Sequence, residues 1–258
     1  STMAAMPLSR SLAYKLNDRL SIGAAANLNY GFLSLTRSVD GTDQKDKDHD
    51  WAMSYRLGLL MQLTEQTRAG ITWTSKTDYN FNIDGKARLP NLPNTEYDLP
   101  ISAQVRAPQQ IMLSLVHDIN KQWSVMGDLG WQDWSQFGSP QITVAGKESN
   151  QQNRLKDSWH TAVGVQYRPT EQWRLNAGVG FDSTVYDSQS DVALTLPTGD
   201  EWRFATGAQY QITPASNIGV AVSYLHMQSS HVKSPEIIAG DYDHPYLWFA
   251  RVNYSYQF

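Results

Sequence analysis

The side chains best able to do chemistry are scattered along this chain. Its six histidines are His49, His117, His160, His226, His231 and His244. None stands in an H-x-x-x-H pair or another metal-ligand spacing. Asp241-Tyr242-Asp243-His244 gathers two acids and an imidazole, but it reads as a turn. Ser158 and His160 share a strand face, so they are the nucleophile–base pair to test. Two apart on that face, they stand roughly 7 Å from each other, and no third partner is evident. The residues point to no catalytic group, no metal and no cofactor, and the chain reads as a non-enzyme. A formal net charge of -4 over 258 residues leaves no basic footprint for nucleic acid. The lack of Cys fits exposure to an oxidising periplasm.

What the charged residues share is phase. Arg56, Lys76, Arg174, Arg203 and Arg251, with Asp128, Asp182 and Glu201, point inward from alternating segments. There they read as paired wall residues. The stretch Tyr246 to Phe258 shows the alternation most fully. Tyr246, Trp248, Ala250, Val252, Tyr254, Tyr256 and Phe258 share one face; Leu247, Phe249, Arg251, Asn253, Ser255 and Gln257 share the other. Period two gives a strand with one greasy and one wet face. In a soluble sheet the greasy face points into a core. In an outer-membrane barrel it meets lipid and the wet face lines the lumen. A chain that stops on Phe after such a strand resembles the C-terminal signal of bacterial outer-membrane barrels.

Alternating segments recur at about 10–16, 20–36, 50–63, 68–82, 108–118, 123–134, 157–168, 173–184, 200–211, 218–229 and 246–258. In 157–168, Trp159, Val163, Val165 and Tyr167 would face lipid, while Ser158, His160, Ala162, Gly164 and Gln166 would face the lumen. In 173–184, Trp173, Leu175, Ala177, Val179 and Phe181 oppose Arg174, Asn176, Gly178, Gly180 and Asp182. Small inward residues leave space that a sandwich core would fill. Short polar turns, such as Asn120-Lys121-Gln122 and Thr170-Glu171-Gln172, alternate with long connections near 37–49, 83–106, 136–153, 185–199 and 230–245. Short turns on one side and long loops on the other is the asymmetry of outer-membrane barrels.

The fold class expected is therefore all-β, an antiparallel transmembrane barrel. No run of roughly 18 apolar residues offers a transmembrane helix. A mean hydropathy of -0.47 is compatible with strands that alternate. Nine Trp and thirteen Tyr suit interfacial girdles. About eleven strands is an odd number, and lipid does not tolerate an open edge. Residues 1–258 are thus expected to be the C-terminal part of a larger barrel, unless the count is off by one. Ser1-Thr2-Met3 does not begin a signal peptide, so a leader has been removed or the chain starts inside a longer protein.

With the strands placed, wording becomes visible. Segment 108–137, PQQIMLSLVHDINKQWSVMGDLGWQDWSQF, and segment 155–183, LKDSWHTAVGVQYRPTEQWRLNAGVGFDS, resemble the long-chain fatty acid and toluene-type hydrocarbon transporter family of outer membranes (FadL/TodX-like). Leu196-Pro197 with Asp200-Glu201-Trp202-Arg203 is similar to its L-P-x-x-D-R-W stretch. Ser11 to Asp18 followed by Leu20-Ser21-Ile22-Gly23 is similar to its P-S-x-A-Y-x-x-N-D-x-x-S-x-G hairpin. These matches run in order over nearly the whole chain.

The resemblance implies a roughly fourteen-stranded barrel with an N-terminal hatch, of which this chain supplies the later strands and neither the hatch nor the earliest ones. It implies passive transport of hydrophobic compounds, long-chain fatty acids or aromatic hydrocarbons, across the outer membrane. The partners implied are a hydrophobic small molecule, detergent in crystals, and outer-membrane lipid. By family analogy, the connections near 37–49 and 83–106 form a capture groove. The second holds Leu89, Leu92, Leu99 and Ile101 among prolines; these either make a capture surface or pack the loop onto itself. The first, Asp40 to Asp50, looks solvated. In the K-D-x-W match Lys156, in phase with Ser158 and His160, is the position implied to hold a ligand carboxylate. The alternative for Lys156 is a salt bridge with Asp157 or a loop acid. A structural or adhesin-type barrel and a general porin are the rival functions.

Overall fold

The structure, a computed structural model, describes all residues except 1, 40–41, 90–91, 137–140, 145–146, 150–154, 189–191, 193–198, 233–239 and 257–258. For 2–3, 35–39, 42–45, 83–89, 92–101, 103, 141–144 and 147–149 it describes the backbone alone.

The strands in chain order are β1 (Thr2–Asn17), β2 (Leu20–Val39), β3 (Thr42–Gln62), β4 (Thr67–Thr74), β5 (Thr77–Leu89), β6 (Leu92–Ala107), β7 (Gln110–Asp118), β8 (Trp123–Gln132) and β9 (Gln141–Val144). They continue as β10 (Lys147–Ser149), β11 (Ser158–Tyr167), β12 (Trp173–Asp182), β13 (Glu201–Thr213), β14 (Ser216–Met227), β15 (Ser230–Val232), β16 (Gly240–Tyr242) and β17 (Tyr246–Tyr256). Eleven of them form one antiparallel sheet in the order β1-β2-β3-β4-β7-β8-β11-β12-β13-β14-β17, which match the eleven alternating segments. β10-β9-β6-β5 make a second sheet, and β15-β16 a third. The large sheet has β1 and β17 at its two edges.

Alternation sorts the two faces. On β3, Trp51, Met53, Tyr55 and Leu57 are exposed, while Ala52 and Ser54 are buried. On β17 and β14, Trp248, Val252 and Tyr254 continue a face formed by Ile218, Val220 and Val222. A face this apolar and this exposed is the lipid-facing side of a membrane barrel. Aromatic pairs border it at two levels. Trp123 stacks on Tyr167 at 4.4 Å and Trp173 meets Tyr210 at 4.9 Å, next to the short turns. Phe181 meets Trp202 at 5.0 Å and Tyr224 meets Trp248 at 4.8 Å toward the long connections. Trp173 and Phe181 are eight residues apart on one strand, as are Trp123 and Trp131. Eight residues span about 26 Å along a strand, the height of an apolar band once tilt is allowed for.

Three expectations change. The first strand, read as 10–16, runs Thr2–Asn17 and pairs with β2 along almost its whole length. The connections near 37–49 and 83–106 are hairpins rather than irregular loops: β2 and β3 pair as far as Val39↔Thr42, and β5 and β6 as far as Leu89↔Leu92. The segment 68–82 breaks at Ser75-Lys76 into β4 and β5. Pro108 interrupts the returning strand opposite, because it cannot donate to a ladder. Beyond that break β5 separates from β3. The Asp50 carboxylate accepts the Asn80 amide at 2.7 Å, and the Asp48 carboxylate accepts the Asn82 amide at 2.6 Å. The Asp48 and Asp50 carboxylates thus stand in for ladder bonds, so these two acids of the stretch are structural rather than merely solvated.

Candidate functional site

The wet face of the large sheet forms a continuous inner wall, which cross-strand register resolves into rows. The first row from the long connections that crosses β7, β8, β11, β12 and β13 runs Met112, Gly130, His160, Asp182, Glu201. The next runs Ser114, Asp128, Ala162, Gly180, Arg203. The third runs Val116, Met126, Gly164, Gly178, Ala205 and holds no charge on these five strands. The fourth, Asp118, Ser124, Gln166, Asn176, Gly207, is polar again. Nearest the short turns, Arg174, Gln209, Gly219 and Asn253 lie in register. On these five strands an uncharged band one row deep is therefore flanked by polar rows on both sides, and on β4 the row continues into Arg68.

The wall is shallow because its middle residues are small. A cavity of about 510 Å³ lies against it, lined by Met126, Asp128, His160, Arg203, Asn176 and Asn253 over a floor of Gly and Ala. Two methionines lie across glycines: a β-carbon on Gly130 would meet Met112 Cε at 2.9 Å, and one on Gly164 would meet Met126 Cγ at 3.1 Å. Unbranched thioethers adapt to irregular apolar guests. The polar rows are tied down. His160 Nδ1 lies 2.7 Å from Asp182 Oδ1, Ser114 donates to Asp128 at 2.5 Å, and Gln166 donates to Asn176 at 2.8 Å. Arg168 donates to Ser124 at 3.0 Å and stands 3.7 Å from Asp118. This arrangement can hold a molecule with an apolar body and hydrogen-bond its polar end.

Among the residues expected to bind ligand, His160 does line this cavity. Lys156 does not: it precedes β11, its side chain is exposed, and its amide donates to the Val185 carbonyl at 2.8 Å. Asp157, offered as its partner, instead accepts from the Trp131 indole and the Ser135 amide, both at 3.0 Å. Burial pushes the Asp157 carboxyl up. The hydrogen bonds from the Ser135 amide and hydroxyl and from Trp131 outweigh this and hold it below its ordinary value. The backbones at Leu89, Leu92, Leu99 and Ile101 lie on the β5–β6 hairpin; their side chains fall outside the described residues. No group of three His, Cys, Asp or Glu among the described residues could hold a metal ion.

The β5–β6 hairpin bears on the inner wall. Phe81 is fully buried and packs with Tyr79, Leu33 and Ala52. Tyr79 and Phe81 stack at 6.0 Å. Burial and then the nearby Asp50 charge raise the Tyr79 phenol above its ordinary value. Below this cluster Asn27 and Asn29 both donate to Ser54, at 3.2 and 3.0 Å. The roles of Met112, Met126 and Asp48 were hidden in the sequence. The signal for the methionines was an apolar residue in phase with polar ones, opposite a glycine.

Residues 1–256 match the family described as outer membrane protein transport protein (OMPP1/FadL/TodX). The long-chain fatty acid transport protein of Escherichia coli O157:H7 is 22% identical over 303 residues, which cover 98% of this chain. The chain spans 66% of that relative's length. A Pseudomonas aeruginosa FadL homologue superposes with a TM-score of 0.81 at 20% identity, over 98% of this chain and 68% of the other. The CymD monoaromatic hydrocarbon channel superposes with a TM-score of 0.73 at 19% identity, over 99% and 74%. The match over nearly the whole chain, on a sheet with a lipid-facing surface and a wet inner wall, has one reading: this chain belongs to the OMPP1/FadL/TodX family of integral outer-membrane transport proteins.

Proposed function

We propose that this chain forms the C-terminal portion of a channel that passes hydrophobic small molecules, long-chain fatty acids or aromatic hydrocarbons, across the outer membrane, without catalysis. The observation that carries this reading is the uncharged band of Val116, Met126, Gly164, Gly178 and Ala205 on an otherwise polar inner wall. Each CH2 of an acyl chain removed from water against such a band returns about 0.8 kcal/mol, so a shallow trough retains a long chain. Both ligand classes have precedent in the names of the relatives: a long-chain fatty acid transport protein and a monoaromatic hydrocarbon channel. Leu89, Leu92, Leu99 and Ile101 on the β5–β6 hairpin would serve as the capture surface. His160 would meet the ligand at the long-connection end of the band. Lys156, exposed at the rim, would attract a carboxylate before entry. A hatch from outside this segment would close the lumen and release ligand by rearranging.

Full-length protein in liposomes tests the proposal by uptake of a long-chain fatty acid and of toluene. Uptake of either above protein-free liposomes supports it; uptake of neither, with free passage of small sugars, would replace it with a general porin. Lys156→Ala should weaken carboxylate uptake and spare toluene, and equal loss of both would remove the role given to Lys156.

A further inference from the structure

Along β7, β8 and β11 to β13 the inner wall separates its charges by position along the strands. On β7, β8 and β11 to β13, the inward acids Asp128, Asp182 and Glu201 lie in the two rows nearest the long connections, accompanied by Arg203 and His160. Beyond the uncharged band toward the short turns stand Arg168, 3.7 Å from Asp118, and Arg174, in register with Gln209. On β12 Asp182 and Arg174 are eight residues apart, about 26 Å along the strand. That is several Debye lengths at physiological salt, so each belt acts on a passing charge locally rather than across the lumen. The acids near the long connections are only partly neutralised. His160 is bonded to Asp182, and the Arg203 charge lies near Glu201, which in turn stands beside Asp182. At the short-turn end no acid among the described residues lies within ion-pair distance of Arg174.

We propose that this wall sorts amphiphiles by the charge of their head group. An ionised carboxylate is disfavoured beside Asp128, Asp182 and Glu201 and is held at Arg174 and Arg168, with its tail on the Met126 to Ala205 band. An ammonium head is retained at the opposite end, and a neutral hydrocarbon is indifferent to both. The inference rests on the channel reading above and names its selectivity. In a passive channel the belts alter rates and orientation and leave the final distribution untouched. Unit charges at contact distance interact by about 1 kcal/mol even in water, about fivefold in rate.

The test is uptake by full-length protein in liposomes of three tracers with matched tails: a long-chain carboxylate, the primary alkylamine and the alkane. Arg168→Gln with Arg174→Gln should slow the carboxylate about fivefold and leave the alkane unchanged. Asp182→Asn with Glu201→Gln should speed the carboxylate and slow the amine. Arg174→Lys keeps the charge and should slow the carboxylate less than Arg174→Gln does, and high salt should shrink every difference. Heat-modified gel migration confirms that each variant is folded. Charge variants that alter the three tracers equally, or none, overturn the sorting. If the unsubstituted protein takes up none of the three, the channel reading itself has failed.

Discussion

The Tyr79 ring stands where a β-carbon on Gly31 would be, with Cδ1 2.6 Å from that position. Gly31 lies on β2, in phase with the inward-facing Leu33, and Tyr79 lies on β5 beyond the strand break. The absence of a side chain at one residue therefore makes the seat for the aromatic anchor of the hairpin. Gly31→Ala should force the ring aside or lift the hairpin, at a cost of about 1–3 kcal/mol typical of overpacking. Amide exchange at Asn80 and Asn82, which the Asp50 and Asp48 carboxylates now hold, should accelerate. Unchanged exchange in a folded variant would mean the hairpin is not anchored at this point.

Why this contact was hidden while the strands were not follows from period two. Alternation along Trp51 to Leu63 or Tyr246 to Tyr256 records which solvent each residue meets, and the membrane makes that record strict. In an unbroken strand 68–82, Tyr79 would share the face of Trp73; yet it packs on Leu33 and Ala52, on the opposite face of the wall. No glycine or proline marks Ser75-Lys76, and the partner signal, Pro108, lies more than thirty residues on. The acids that hold β5 sit in a run of alternating Asp and Lys that has the composition of a hydrated loop. Their role depends on a gap between strands, which composition does not encode. The inner wall was half legible: its phase was plain, but the charge-free row emerged only when register aligned five strands.

The same anchor makes a pH prediction. Tyr79 is raised above its ordinary value by burial and by Asp50. A phenol whose folded pKa is raised contributes stability that is complete below the unfolded value, about 10, and is lost as pH rises through the folded value. Hairpin docking should therefore weaken above pH about 10, where Asn80 exchange, corrected for its intrinsic rate, rises. Asp50→Asn should reduce the upward displacement without abolishing it, because burial is the larger cause. A Tyr79→Phe variant whose absorbance titration loses an ordinary phenol would contradict the assignment.

Asp157 gives the opposite sign. Its carboxyl is held below the ordinary value by Ser135 and Trp131 against the pull of burial. Such a group stabilises the fold above its unfolded value of about 4, and the contribution goes as pH falls through the depressed folded value. The rim contact joining Trp131 to the segment before β11 should loosen only in that acid window. With 5-fluorotryptophan incorporated, the 19F resonance of Trp131 should move there in the parent and stay fixed in Asp157→Asn. A resonance that moves equally in both would show that another group controls this part of the rim.

Met126 is the one large flexible side chain in the cavity's uncharged row, lying over Gly164. If the band retains the body of the ligand, Met126→Ala should weaken binding of long-chain alkyl ligands by about 1 kcal/mol, the worth of one to two buried CH2 groups, or about fivefold in Kd. Met126→Leu, which keeps volume and loses only the adaptable thioether, should cost less. Gly164→Ala pushes Met126 toward the lumen, since a β-carbon there meets its Cγ at 3.1 Å. A thicker side chain on a narrow path should penalise a branched or bicyclic ligand more than a linear one. Titrating full-length protein in detergent with a fluorescent linear acyl ligand and with naphthalene resolves the two effects. Equal affinities for both ligands in all three variants would place the path away from this row.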